Sequence, residues 1–239
     1  MPTRLHRLSQ ITLTGAATAL LLGCAGVPAP QSAVGTPAAP AAALSSANVV
    51  SIKETSAYQN PALLAAAWQL PVAALYRADI EYQRNGSVCG PTSVANVLHS
   101  MQRPGDQASV LKASGLTTVM GYLPQGITLD QMAEVSAQST GGHVSVLRDL
   151  SLANFREHLR QSNDPAHRYI INFTRAPLFG SGGGHHSPIA GYLAEQDLVL
   201  VLDVNEQYGA WLVTPERLFE AMDTLDAGAG KKRGLLLID

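Results

Sequence analysis

Apolar side chains recur at two different spacings along the chain, and the change of spacing divides it into two halves. Behind Cys89 they follow at intervals of three and four residues, the spacing of one buried helix face. These residues are Val94, Val97, Leu98 and Met101. In the second half, short runs rich in branched and aromatic residues are separated by turns, which is typical of β-strands. Helices in the first half followed by strands in the second predict an α+β fold with two facing subdomains, a helical N-terminal half packed against an antiparallel β-sheet half.

Capping residues and prolines set the bounds of the other predicted elements. One further helix is predicted to begin at Asn60 and Pro61 and to end at Pro71, and another to be capped by Ser151 and to bury Leu152, Phe155 and Leu159. Three more are predicted over 106–113, from 128 to about 137, and from 214 to 222. The predicted strands cover 144–147, 169–173, 187–192, 198–203 and 234–238.

The first residues predict a segment that is removed from the mature protein. Arg4 and Arg7 precede a short uncharged run, Ile11 to Leu22, which is the pattern of a secretory signal peptide. The following Cys24 makes the end of this run resemble a bacterial lipobox, in which the cysteine is acylated. We therefore predict a lipoprotein signal peptide over residues 1–24, the alternative being a plain signal peptide with a chance cysteine.

Composition then separates a tether from a folded domain. Residues 25–48 are mostly Ala, Pro, Ser and Gly, which cannot bury enough apolar surface to fold. We predict a disordered tether there and one catalytic domain over 49–239. Ala25 follows the lipobox in place of an acidic residue, and by resemblance this favours the outer membrane, facing the periplasm.

Charge and cysteine content narrow the possible functions. The net charge is −2 and no basic tract with interleaved aromatics occurs, so nucleic-acid binding is not expected. The chain has two cysteines. If Cys24 carries lipid, Cys89 has no disulfide partner within the chain, and an unpaired thiol in an oxidising envelope indicates a reactive or functional group.

Cys89 is predicted to lie at a helix N-terminus. Pro91 suits the first helical residue because it has no backbone donor to lose and its φ is already set. The helix dipole and free N–H groups at such a position stabilise a thiolate. The alternative is a small core residue, since free cysteine is commonly buried.

A histidine and a carboxylate suited to such a nucleophile follow later in the chain. His185 and His186 stand where a glycine-rich loop enters a predicted strand, and Asp203 ends the next strand. If these strands are neighbours, Asp203 can accept a hydrogen bond from the His185 imidazole. The order Cys, His, Asp is papain-like. A metal site at the two histidines is a weaker interpretation, because structural zinc usually has four ligands at recognisable spacing.

The segment from His185 to Tyr192, continuing to Val204, resembles the phytochelatin synthase family of papain-fold transferases and peptidases. In that family the catalytic aspartate follows its histidine by eighteen residues, and 203 minus 185 is 18. Two later stretches, 220–226 and 231–234, are also similar to the family. The similarity extends over nearly the whole of 49–239.

The resemblance implies a role for each matching residue. Cys89 is the nucleophile, His185 the general base, Asp203 its orienting partner, and Gln83 an oxyanion donor together with the Cys89 backbone N–H. The implied substrate is glutathione, whose Cys–Gly bond is cleaved through a γ-glutamylcysteinyl thioester. Since a carboxylate suits a bidentate cation, Arg233 and then Arg175 are the candidate substrate-binding residues, the alternative for each being a surface arginine.

The acceptor of the acyl group decides the reaction. Water makes the protein a peptidase, which needs no cofactor, and a second glutathione makes it a transpeptidase that builds phytochelatins, with Cd²⁺ or Zn²⁺ as an activator or as a glutathione thiolate. The loop 203–210 is two residues shorter than the family pattern and lacks the family's arginine, so we expect hydrolysis. The alternatives are a papain-like peptidase acting on another peptide and a non-catalytic lipoprotein that binds thiol or metal complexes. The sequence leaves a homodimer open.

Overall fold

The computed structural model describes residues 50–239. The predicted signal peptide, lipobox and tether, which together cover residues 1–48, therefore lie outside the described residues. The helices are α1 Pro61–Ala67, α2 Pro71–Tyr76, α3 Cys89–Ser100, α4 Gln107–Ala113, α5 Leu129–Thr140, α6 Leu152–Gln161, α7 Ala176–Phe179 and α8 Pro215–Met222, and a 3₁₀ turn covers Ile52–Glu54. The strands are β1 Val144–Leu147, β2 Arg168–Thr174, β3 Gly184–Leu193, β4 Leu198–Leu202, β5 Ala210–Val213, β6 Leu225–Asp226, β7 Lys231–Lys232 and β8 Leu235–Ile238.

Six strands form one antiparallel sheet in the order β1-β8-β2-β3-β4-β5. The C-terminal strand β8 lies between β1 and β2, so the sheet joins distant parts of the chain. Strands β3 and β4 are neighbours. Because the two strands are antiparallel, the start of β3, with the two histidines, lies at the same end of the sheet as the end of β4, which Asp203 follows.

Side chains alternate between the two faces of the sheet, and each face has its own core. Ile170 of β2 packs in the core that includes Val94 and Met132 from the N-terminal helices. Its neighbour Ile171 packs on the other face with Phe155 of α6 and Leu218 of α8. The helical half therefore packs against the sheet as predicted, and α6 and α8 additionally cover the far face. No helix within residues 50–239 has the length and hydropathy needed to cross a membrane.

Three local predictions were wrong, and the chemistry of proline explains two of them. Pro71 does not end a helix but opens α2, where proline in the first turn loses no hydrogen bond. Helix α3 begins at Cys89 itself, so Pro91 is its third residue, a position whose N–H also has no partner within the helix. Leu152 is only partly buried at the start of α6.

Candidate active site

The N-terminus of α3 delivers the Cys89 thiol to the wall of a cavity. Cys89 is buried and is the first residue of α3. Next to it, a Cβ on Gly90 would lie 2.5 Å from both Ile127 Cγ2 and Met132 Sδ, so a larger residue there would force these side chains to shift. The free N–H groups of the first helical turn lie at the same end of α3 as the thiol, where they favour negative charge.

His185 and Asp203 come together as the strand pairing predicts. Nε2 of His185 donates to Oδ1 of Asp203 at 2.9 Å, and both side chains are buried. The same imidazole lines the cavity together with the Cys89 thiol, and its charge acts on the thiol. Because Nε2 is engaged by the carboxylate, Nδ1 is the nitrogen left for the sulfur. The structure thus brings together the three residues predicted to form the catalytic set.

Asp203 is held by more donors than the histidine alone. Nη2 of Arg175 donates to its Oδ1 at 2.8 Å, and Nε1 of Trp211 donates to its Oδ2 at 3.2 Å. The backbone N–H of Asn205 also donates to Oδ1, at 2.9 Å. These contacts fix the carboxylate that orients His185. Trp211 could not be identified from the sequence, because a tryptophan within an apolar run is usually a core residue.

Electrostatics in this cluster favour a thiolate beside an imidazolium. Burial acts to raise the pKa of Cys89, but the charge and hydrogen bond of His185, with a smaller contribution from His186, bring that pKa well below its usual value. Burial acts to lower the pKa of His185, and the thiolate together with Asp203 raises it above the usual value. Burial likewise opposes, but does not prevent, a lowered pKa of Asp203, which His185 and Arg175 stabilise as an anion.

A polar cavity of about 420 Å³ opens at the thiol. Its lining includes Cys89, His185 and His186 together with Asp226 and Arg233. A larger cavity of about 530 Å³ lies beside Arg84 and Lys112, but it contains none of the predicted catalytic residues. We therefore take the smaller cavity as the candidate active site.

The two predicted substrate-binding arginines occupy different places. Arg233 lines the cavity, donates to the Leu225 carbonyl at 2.6 Å, and has a buried Nε with no hydrogen-bond partner among the described residues. A Cβ on Gly184, at the start of β3, would lie 3.1 Å from Arg233 Nη2. Arg175 lies outside this cavity. Its guanidinium is paired with Asp203 and sits 3.9 Å from the ring centroid of Tyr208.

Gln83 lies close to the end of β4 through its backbone. Its N–H donates to the carbonyl of Val204, the residue after Asp203, at 2.8 Å. The side-chain Oε1 is buried and has no hydrogen-bond partner within residues 50–239. Gln83 is not among the residues that line the cavity.

His186, which follows the predicted base in the sequence, contacts the thiol. Its Nδ1 is 3.9 Å from Cys89 Sγ, and its Nε2 is 2.8 Å from Nδ2 of Asn172 on β2. Asn172 could not be recognised from the sequence, because it stands within an apolar strand run. Among residues 50–239, no group of three or more His, Cys, Asp or Glu side chains is arranged to hold a metal ion.

Comparison with known proteins gives consistent similarities. A sequence profile described as phytochelatin synthase matches residues 49–235. Glutathione gamma-glutamylcysteinyltransferase 3 of Lotus japonicus is 36% identical over 118 residues, which is 48% of this chain and 24% of the relative. The Schizosaccharomyces pombe glutathione gamma-glutamylcysteinyltransferase is 28% identical over 95 residues, 39% of this chain and 23% of the relative. The matched segments thus span about a quarter of these relatives.

A solved structure shares the architecture. A putative C39-like peptidase from Bacillus anthracis has a TM-score of 0.50 and 15% identity, over 69% of this chain and 96% of that one. At this identity the likeness concerns the fold alone. It confirms the predicted papain-like cysteine peptidase fold.

Proposed function

Because this chain belongs to the phytochelatin synthase family, we propose that it cleaves the Cys–Gly bond of glutathione through a thioester on Cys89. The main support is the buried Cys89–His185–Asp203 cluster, which opens onto a polar cavity. This arrangement supplies a nucleophile, a proton carrier and a group that orients the carrier.

The acylation step follows from the protonation states of the cluster. The Cys89 thiolate attacks the carbonyl carbon of the Cys–Gly bond, and the carbonyl electrons move to oxygen. The Cys89 backbone N–H and Gln83 are the proposed donors to that oxyanion. When the oxyanion collapses, the C–N bond breaks and the His185 imidazolium gives its proton to the departing glycine amine. The product is a γ-glutamylcysteinyl thioester with neutral His185.

Deacylation returns the cluster to its starting state. Neutral His185 takes a proton from the acceptor, the acceptor oxygen or nitrogen attacks the thioester carbon, and the electrons of the C–S bond return to sulfur. With water the product is γ-glutamylcysteine, and with a second glutathione it is a phytochelatin. We favour water, because the short loop 203–210 lacks the family's arginine and places Tyr208 over Arg175.

We assign the γ-glutamyl group to the wall formed by Arg233 and Asp226. This end of glutathione carries an α-carboxylate and an α-ammonium group, which need a cation and an anion side by side. Nη2 of Arg233 lies 3.8 Å from Oδ1 of Asp226, and the arginine Nε is buried without a partner among the described residues. Arg175 is not assigned this role, because its guanidinium is engaged by Asp203.

Replacing Arg233 by glutamine is expected to raise the KM for glutathione roughly ten- to hundredfold, since a charged hydrogen-bond donor to the carboxylate is lost. The measurement is steady-state glycine release with glutathione and with 4-aminobutyryl-Cys-Gly, which lacks the α-carboxylate. The variant should lose little with the second substrate. Arg160→Gln, at an exposed arginine paired with Glu157, is the matched control. An equal loss with both substrates would exclude a carboxylate contact.

Incubation of the purified protein with glutathione tests the proposed function. We expect free glycine and γ-glutamylcysteine, and slower cleavage of ordinary dipeptides. Parallel reactions with Cd²⁺ or Zn²⁺ show whether a metal thiolate of glutathione is used and whether phytochelatins form. If dipeptides are cleaved and glutathione is not, the protein is a peptidase of other specificity. If neither is cleaved and glutathione still binds, the protein is a non-catalytic binding protein.

We further propose that Cys24 is acylated and that residues 25–48 tether the domain to the outer membrane, facing the periplasm. The support is the sequence pattern of charged residues, apolar run and cysteine. Bacteria grown with labelled palmitate should yield labelled wild-type protein. Cys24→Ala should remain unlabelled, and labelling of that variant would contradict the assignment.

A further inference from the structure

A second histidine lies against the catalytic thiol. His186 is buried, and its Nδ1 is 3.9 Å from Cys89 Sγ. The hydroxyl of Ser93 lies within hydrogen-bond distance of the carbonyls of both residues, 2.8 Å from that of Cys89 and 3.1 Å from that of His186. This contact ties α3 to β3, so the spacing of thiol and imidazole is fixed by the backbone of both elements.

Asn172 is the side chain that contacts the far nitrogen of His186. The residue stands directly opposite His186 in the register of β2 and β3. Its amide Nδ2 lies 2.8 Å from Nε2 of His186. With Nδ2 as the donor, Nε2 is the acceptor and the ring proton lies on Nδ1, which faces the sulfur.

We propose that His186 is a second catalytic imidazole, a neutral donor from Nδ1–H to the Cys89 sulfur, held in that tautomer by Asn172. His185 transfers protons, whereas His186 keeps its proton throughout. The effect on turnover rests on the proposed function. The hydrogen bond to the thiolate exists without any substrate.

The donor acts whenever negative charge resides on the sulfur. In the free enzyme it stabilises the thiolate against protonation. In deacylation the C–S bond breaks and its electron pair returns to sulfur, where the Nδ1–H group of His186 again meets the charge. The second effect favours release of the acyl group to the acceptor.

A neutral donor at His186 is compatible with the charged groups around the thiol. His185 comes from the same strand and is hydrogen-bonded to Asp203, and Asp226 and Arg233 also line the cavity. The first turn of α3 has no acidic residue. Burial opposes a low pKa of Cys89, His185 lowers it most, and the hydrogen bond and charge of His186 lower it further.

The pH dependence of Cys89 alkylation by iodoacetamide tests this role without glutathione. In the full-length protein, His186→Phe should raise the pH at which alkylation begins and slow the reaction roughly tenfold on the acidic side, because one hydrogen bond to the thiolate is lost. His186→Gln retains an N–H donor and should stay closer to wild type. His143→Phe, at an exposed histidine, should leave the profile unchanged.

The outcomes separate this inference from the proposed function. A shift in the phenylalanine variant alone supports the donor even if the protein does not cleave glutathione. An unchanged profile, or equal shifts in the phenylalanine and glutamine variants, would overturn it. Nitrogen NMR of ¹⁵N-histidine-labelled wild-type protein gives a second test. The only variant that it needs is His186→Gln, whose missing signals identify those of His186. A neutral His186 protonated on Nδ1 supports the proposal, and protonation on Nε2 contradicts it.

Discussion

Replacing Cys89 by alanine is expected to abolish glycine release from glutathione, and replacing His185 by alanine to lower it by about a hundred- to ten-thousandfold. The alanine at position 89 leaves no atom to form the thioester. The alanine at position 185 removes both the proton carrier for glycine and the charge that most lowers the thiol pKa. The measurement is glycine release by each variant under saturating glutathione.

The pH profile distinguishes the two roles of His185. The rate of glycine release by the wild-type protein should rise with pH as Cys89 ionises. This rise should occur at a pH below the usual thiol range, because the pKa of Cys89 is lowered. The rate should fall again only as the imidazolium loses its proton, above the usual histidine range, because that pKa is raised. In His185→Ala the thiol should ionise at higher pH, so alkylation by iodoacetamide below neutral pH should slow. Wild-type alkylation in this variant, with activity retained, would exclude the thiolate–imidazolium pair.

Replacing Gln83 by alanine is expected to lower kcat by about a hundred- to a thousandfold, the usual cost of losing one oxyanion donor. The Michaelis constant should change little, since the donor acts on charge that develops only in the transition state. Steady-state kinetics of glycine release provide both constants.

Two controls accompany the Gln83→Ala prediction. Gln69→Ala, at an exposed glutamine in the turn between α1 and α2, should have wild-type kinetics. Alkylation of Cys89 should remain normal in Gln83→Ala, because the oxyanion donor does not contribute to thiolate formation. If KM rises while kcat stays the same, Gln83 binds the ground state and is not an oxyanion donor.

The fold was predictable where local chemistry and burial agree. The apolar spacing behind Cys89 gave α3, and the side-chain caps at Asp106, Thr128 and Ser151 begin helices as predicted. Prediction failed at Pro71 because proline both follows one helix and opens another, and only the tertiary path of the chain distinguishes the two. The position of β8 between β1 and β2 depends on contacts between distant segments, which spacing does not encode.

The candidate site was predictable to a similar degree. Cys89, His185 and Asp203 carry recognisable chemistry at recognisable spacing, and they meet in the structure. Asn172 and Trp211 do not stand out in the sequence, because each lies in an apolar strand run. Their importance arises from strand register, which places Asn172 opposite His186, and from the close packing around Asp203.

Rapid acid quenching of the protein during reaction with glutathione tests the central claim most directly. Mass spectrometry of the Cys89 peptide should show a γ-glutamylcysteinyl adduct that hydroxylamine removes, and Cys89→Ala should carry none. Glycine release without such an adduct on Cys89 would contradict the thioester mechanism.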